Sequence, residues 1–171
     1  MKIEIKYRDN HVVEVEADSF VKAVEVHKAN LFGADLTRAN LFGADMTDAN
    51  LTGANMTRVN LSRADLFGAC LFKAYLYRAC LRYANLICAD LTKADLTGAD
   101  LTRANLYDAD LADADLFRAN LTMANLTGAD LTRADLRGAN LARANLVGAD
   151  LAGADLTRAN TKGAVGLKSQ T

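Results

Sequence analysis

Three cysteines, Cys70, Cys80 and Cys88, are the residues of this chain best suited to metal or redox chemistry, and no Cys-x-x-Cys pairs them. Structural zinc sites bring Cys and His together at short, characteristic spacings. Here the only histidines, His11 and His27, lie far upstream of every cysteine. Ser19, Ser62 and Ser169 are candidate nucleophiles, but no positioned base accompanies them. Aspartates are plentiful, yet they recur at a fixed interval instead of converging on a pocket that would shift their pKa values. Glycines such as Gly43 are isolated and form no phosphate-binding loop. These patterns predict no catalytic residue, no cofactor and no metal site, and the chain is read as a non-enzyme.

The fixed interval is five residues. From Ala29 to Arg158 the phrase Ala-(Asp/Asn)-Leu-x-x is written 26 times without insertion or deletion. Its central position is Leu except at Met46 and Met56, and the position two before it is Ala except at Val59. Repeats have to be explained first, because a missed period misreads the fold. Five residues advance an α-helix by about 140°, so these leucines would share no helical face. On a plain strand the odd period would make them alternate sides. Ala and Leu, two apart, can face one way on a short extended side. The odd step to the next Ala then needs a corner, where Asp, Asn and Gly suit turns and local side-chain hydrogen bonds. Sides and corners of one sense wind into a solenoid with Ala and Leu inside. The number of sides is not set by this argument.

The A(D/N)LXX phrase resembles the motif of the pentapeptide-repeat proteins, over 130 of 171 residues. That resemblance implies an all-β fold, a right-handed quadrilateral parallel β-helix of about six and a half coils at four pentads per coil. Residues twenty apart would then stack. On this arrangement one face carries Asp45, Asp48, Asp65 and Asp108 without a base, and is the candidate acidic face. Another carries Arg63, Arg82, Arg103 and Arg143 with only Asp100. Arg38, Arg58 and their column share a third with Asp35, Asp95 and others, and Lys73, Lys93 and Arg133 meet Asp90, Asp110 and others on the fourth. Cys70 and Cys80 would stand on opposite faces. Between Phe67 and Cys88 the outward positions turn apolar, and Phe67, Phe72, Tyr75, Tyr77, Tyr83 and Ile87 form a candidate interaction belt.

Residues 1–28 lack the repeat. Lys2–Tyr7 and His11–Glu16 alternate around the Arg8-Asp9-Asn10 turn, which predicts a β-hairpin. Asp18-Ser19 offers a helix N-cap before Phe20, Val21 and Val24. This small cap, also similar to the start of many bacterial family members, is expected to plug the hydrophobic end of residues 29–160. Residues 161–171, where Thr161 replaces Leu, are read as a C-terminal tail. Either the tail folds over the last coil or two chains meet end to end, as the resemblance implies.

The net charge is −1, which disfavours direct nucleic-acid binding. The chain start is not a signal peptide and no stretch approaches a membrane span, so the expected compartment is the cytoplasm. Two functions of different class follow: a structural or interaction scaffold with an unidentified protein partner, or, from the resemblance, a DNA-mimicking inhibitor of DNA gyrase that confers quinolone resistance.

Overall fold

The computed structural model describes residues 2–167. Ser169 and the last residues of the tail lie outside the described residues. The chain opens with β1 (Lys2–Tyr7), β2 (Val12–Glu16) and α1 (Phe20–His27). β1 and β2 form the hairpin, with Asn10 at φ 67° in its turn and the Tyr7 N–H donating to the His11 carbonyl at 3.0 Å. Ser19 caps α1 by accepting from the Lys22 N–H at 3.1 Å. A 3₁₀ turn, Lys28–Asn30, leads into the repeats.

The pentads of the shaft share one hydrogen-bond scheme, complete wherever Asp or Asn stands before Leu and a coil lies above. The Leu N–H and the N–H two residues later donate to the coil above, as Leu36 to the Asn55 carbonyl (2.8 Å) and Arg38 to that of Thr57 (2.9 Å). The Asp or Asn N–H donates to the coil below, as Asn55 to Ala34 (2.8 Å). The Ala N–H closes the corner onto the preceding Leu carbonyl, as Ala39 to Leu36 (3.0 Å). The fifth N–H follows Leu and is met by the Asp or Asn side chain two residues back, as Thr97 by Asp95 Oδ1 at 2.9 Å. In such a pentad all five backbone donors are satisfied, and the short side-chain oxygen of Asp or Asn suits the last of them best. Parallel bridges link residues twenty apart, from Asp35↔Asn55 to Asn145↔Val165, so each coil takes four pentads.

Corners cost the chain something. The second residue after Leu has positive φ throughout, and it is Arg, Lys, Asp, Tyr, Cys or Met more often than Gly. The turn needs a left-handed third residue, and a non-glycine there costs about 1–2 kcal/mol. The inter-coil bond made by that same residue's N–H offsets the strain.

Inside, the repeat's Leu and Ala from Leu31 to Leu146 are buried, all but the partly covered Ala39, and Met46, Met56 and Val59 pack among them. Below, Ile5, Tyr7, Ala23 and Val24 close the core. β1 also pairs antiparallel with β3 (Ala34–Asp35), through Lys6↔Asp35 and Tyr7↔Ala34, which stitches the hairpin to the first coil. The Tyr7 hydroxyl donates to the Asn30 carbonyl at 2.8 Å, and the Asp45 N–H donates to Glu25 Oε1 at 3.0 Å. Above, the repeat does not lapse at Thr161. Val165 still bridges Asn145, because the ladder uses backbone groups and Gly163 supplies the corner. Leu167 packs against the core.

Three successive pentads carry Cys70, Tyr75 and Cys80 where the acceptor should be. The N–H groups of Phe72, Tyr77 and Arg82 therefore lack it. Replacing Cys80 by Asn, between Asn60 below and Asp100 above, should restore one bond. We expect about 1 kcal/mol and a melting temperature roughly 2–4 °C higher, read by calorimetry.

Candidate interaction surfaces

The outward residues stand in columns on four faces. The first face follows Leu31, Leu51 and Leu71; the second Leu36, Met56 and Leu76; the third Leu41, Leu61 and Leu81; the fourth Met46, Leu66 and Leu86. Asp45 and Asp65 stack directly on the fourth face. Asp48 and Asp108 share its corner column, separated by Gly68 and Cys88. The face is not free of base: Lys28, at the end of the cap, donates to Asp45 Oδ1 at 2.7 Å. Sequence spacing could not show this contact, which joins the cap to the shaft. Hydrogen bonds from the Lys28 ammonium and from Thr47 hold the Asp45 pKa down, at about 2.

An ordinary aspartate titrates near 4. A depressed folded-state pKa adds stability above that value, and the gain is lost as pH falls toward 2. Wild type should thus exceed Asp45→Asn in stability at pH 6 and lose most of that advantage by pH 2, a comparison that urea melts at the two pH values would make.

The candidate belt rings the shaft instead of forming one patch. Phe72 lies on the first face, Tyr75 and Tyr77 on the second, Tyr83 on the third, and Phe67 and Ile87 on the fourth. Several of these rings carry a cation of the same chain. Arg8 sits 4.6 Å from the Tyr75 centroid, Arg78 5.1 Å from Tyr77 and Lys73 5.0 Å from Phe72. Such contacts brace long cationic side chains. On the fourth face the apolar character runs on for a further coil, from Phe67 and Ile87 to Tyr107, and resumes at Val147 after Thr127. Sorting by twenty would have found that column from the sequence.

The three cysteines are free. Cys70 Sγ lies 3.1 Å from Thr52 Oγ1, and Cys80 Sγ 3.0 Å from Ser62 Oγ. His11 stacks on Tyr7 at 4.0 Å and hydrogen-bonds Asp9 through Nδ1 at 2.6 Å. His27 Nε2 is buried without a partner. Two clefts lie at the ends. One of about 410 Å³ is lined by Ala149, Leu151, Leu156 and Leu167. The other, about 360 Å³, lies between the hairpin turn and Phe32, Gly33 and Gly53. Among the described residues no group of His, Cys, Asp or Glu is placed to hold a metal ion. No helix among them is long and apolar enough to cross a membrane.

A family profile described as "Pentapeptide repeats (8 copies)" matches residues 29–68, 44–82, 69–107, 84–122 and 124–163. The chain belongs to the pentapeptide-repeat family. No curated protein matches this pentapeptide-repeat chain. Among solved structures it is similar to HetL of the cyanobacterium Nostoc sp. strain PCC 7120, a pentapeptide-repeat protein involved in heterocyst differentiation regulation. The identity is 40%, the coverage 77% of this chain and 65% of HetL, and the TM-score 0.43. A trypsin-treated variant of QnrB1, a plasmid-mediated fluoroquinolone resistance protein, matches at 21% identity over 76% of this chain and 63% of QnrB1, with a TM-score of 0.52. A second pentapeptide-repeat protein of Nostoc matches at 41% identity over 52% of this chain and 77% of its own length, with a TM-score of 0.48. The chain thus spans a little under two thirds of the first two relatives. At 21% identity, the QnrB1 likeness speaks for the β-helical fold alone.

Proposed function

We propose that this pentapeptide-repeat chain is a non-enzymatic scaffold for protein contact in the cytoplasm. It would be a right-handed quadrilateral β-helix of about six and a half coils, from 130 repeat residues at twenty per coil. One observation carries the reading. The two positions after Leu vary freely among Thr, Phe, Tyr, Arg, Lys, Ala and Val, over a core and a backbone ladder that hardly vary. A binding scaffold needs that combination of rigid support and free surface. Solenoids use such extended surfaces to bind partners.

The upper end supports association with a second copy. The N–H groups of Leu151, Gly153, Leu156 and Arg158 donate to no acceptor among the described residues, and Leu151 and Leu156 are half-buried beside them. End-to-end pairing would satisfy both edges.

The gyrase-inhibitor alternative has less support. Asp45 is engaged by Lys28, and Asp48 and Asp108 are split by uncharged residues. Two experiments test the choice. Photo-crosslinkers at Thr52, Thr97, Thr122 and Thr127, one per face, should yield discrete protein adducts from one face or two in the native host. Adducts from none would sink the scaffold reading. In a gyrase supercoiling assay with a fluoroquinolone, the protein should have no effect at large excess, whereas stoichiometric inhibition or protection would establish the alternative.

A further inference from the structure

The third face and its corner with the fourth carry the shaft's largest excess of positive charge. Arg63, Arg82, Arg103, Arg143 and Lys162 stand there with a single acid, Asp100. That acid is already taken, lying 3.5 Å from Arg82. Arg63, Arg103 and Arg143 share the corner column, two coils apart, with Tyr83 and Met123 between them. The Arg63 guanidinium lies 5.8 Å from the Phe42 centroid and 6.0 Å from that of Tyr83. Arg103 lies 5.7 Å from the Tyr83 centroid, donates to its hydroxyl at 3.2 Å and meets Met123 Sδ at 3.4 Å. Neither Arg63, Arg103 nor Arg143 has an ion pair among the described residues. Arg63 and Arg103 are braced by neutral neighbours that leave most of their donors unused.

What flanks Arg103 and Arg143 matters as much. On one side stand Asn120, Asn140 and Asn160 above Asp100, and on the other Asn105, Asn125 and Asn145 above Asp65, so that over the upper coils Asp108, beside Tyr107, is the one acid on the fourth-face side. Beyond the second Asn column runs the apolar one, in which Tyr107 is 43% and Val147 51% exposed. Arg, Tyr and Met are the residues that protein interfaces enrich.

Building on the scaffold reading, we propose that this corner docks an acidic amphipathic α-helix of a partner protein. Its carboxylates would meet Arg63, Arg103 and Arg143, and its apolar stripe Phe67, Ile87 and Tyr107 and, past Thr127, Val147. Two arguments select this occupant. Neighbouring arginines of the column are two coils apart, about 9.6 Å at the usual strand spacing. Seven residues of α-helix advance about 10.5 Å, so acids at heptad spacing keep step with them. An extended strand repeats a face every ~6.7 Å and does not. Single-stranded nucleic acid stacks its bases on rings in line with its phosphates, and Tyr83, the ring within the arginine column, already has Arg63 and Arg103 over it at 6.0 and 5.7 Å.

The test is a titration of the intact protein with three fluorescent probes. These are a synthetic 21-residue helix with Glu at heptad spacing beside a Leu stripe, its Lys-for-Glu twin, and a 20-nucleotide oligothymidylate. The Glu peptide should bind and weaken with salt. Arg103→Gln with Arg143→Gln should weaken it at least tenfold, and so should Tyr107→Ser with Val147→Ser. Lys73→Gln with Lys93→Gln, an equal charge loss on the opposite face, should leave it unchanged. Arg103→Glu with Arg143→Glu should bind the Lys twin instead, and circular dichroism of each variant confirms its fold. The proposal is overturned by any of three results: no binding of the Glu peptide, equal loss in the Lys73/Lys93 control, or tighter binding of the oligonucleotide. None of these touches the crosslinking result, so the scaffold reading stands or falls separately.

Discussion

Leu111→Asp should unfold the middle of the shaft, lowering the melting temperature by roughly 10–20 °C, while Thr92→Lys should leave it within a degree or two. Leu111 is fully buried, on the first face, with Leu91 below and Leu131 above. A carboxylate there finds no partner, since the pentad spends its polar groups on the ladder and on the outward Asp or Asn. Burying an unpaired charge or its neutralised acid is among the few substitutions that cost about 4–5 kcal/mol or more. For a chain of this size each kcal/mol moves the melting temperature by about 2–4 °C. A central coil also couples both halves, because each coil is stable only against its neighbours. Thr92 is an outward residue one position after Leu. Its N–H keeps its bond to Asp90 Oδ1, at 2.9 Å, whatever the side chain. Thermal melts followed by circular dichroism at 218 nm, a wavelength chosen to report β-structure, make the comparison. Equal tolerance of the two changes would mean that the inside and outside of the pentad had been exchanged.

How far the sequence could be read depends on what each residue answers to. Ala and Leu answer to a core, and their spacing alone placed them inside. The Asp and Asn positions were legible as turn formers, but not their specific duty, which is to accept the one N–H that the ladder leaves over. The left-handed corner was hidden for a different reason. At Arg38, Lys93 or Tyr83 the sequence shows a side chain with no preference for positive φ; the conformation is imposed by the inter-coil bonds. Thr161 misled in the same way, because a backbone ladder continues past a lost Leu. Of the candidate surfaces, the acidic face was assembled in the right columns, yet Lys28 joins it from the cap across 17 residues of sequence. The belt residues were correctly seen as outward. Their dispersal over four faces follows from the twenty-residue coil, and the same sorting exposes the longer apolar column that a single-coil window cuts off at Ile87.

Deleting residues 1–28 should make the protein aggregate and melt earlier. The cap does three separate things for the first coil. It contributes Ile5, Tyr7 and Val24 to the core, each worth about 1.5–3 kcal/mol of burial and all hidden from solvent. It pairs backbone to backbone, through Lys6↔Asp35 and Tyr7↔Ala34, and through the Arg8 N–H, which donates to the Gly33 carbonyl at 3.0 Å. It also supplies side chains where no strand reaches, with Glu25 accepting from the Asp45 N–H and Lys28 donating to the Asp45 carboxylate. Without it the undersides of Leu31, Leu36, Leu41 and Met46 meet water beside unpaired strand edges, which template association between chains. Light scattering and calorimetry separate the two consequences. The point variant Ile5→Ala, which keeps the backbone pairing, should cost about 2–5 kcal/mol but leave the protein monodisperse at the capped end. If the deletion neither aggregated nor melted earlier, the shaft would be self-sufficient at its lower end and the cap would have to be explained by something other than closure.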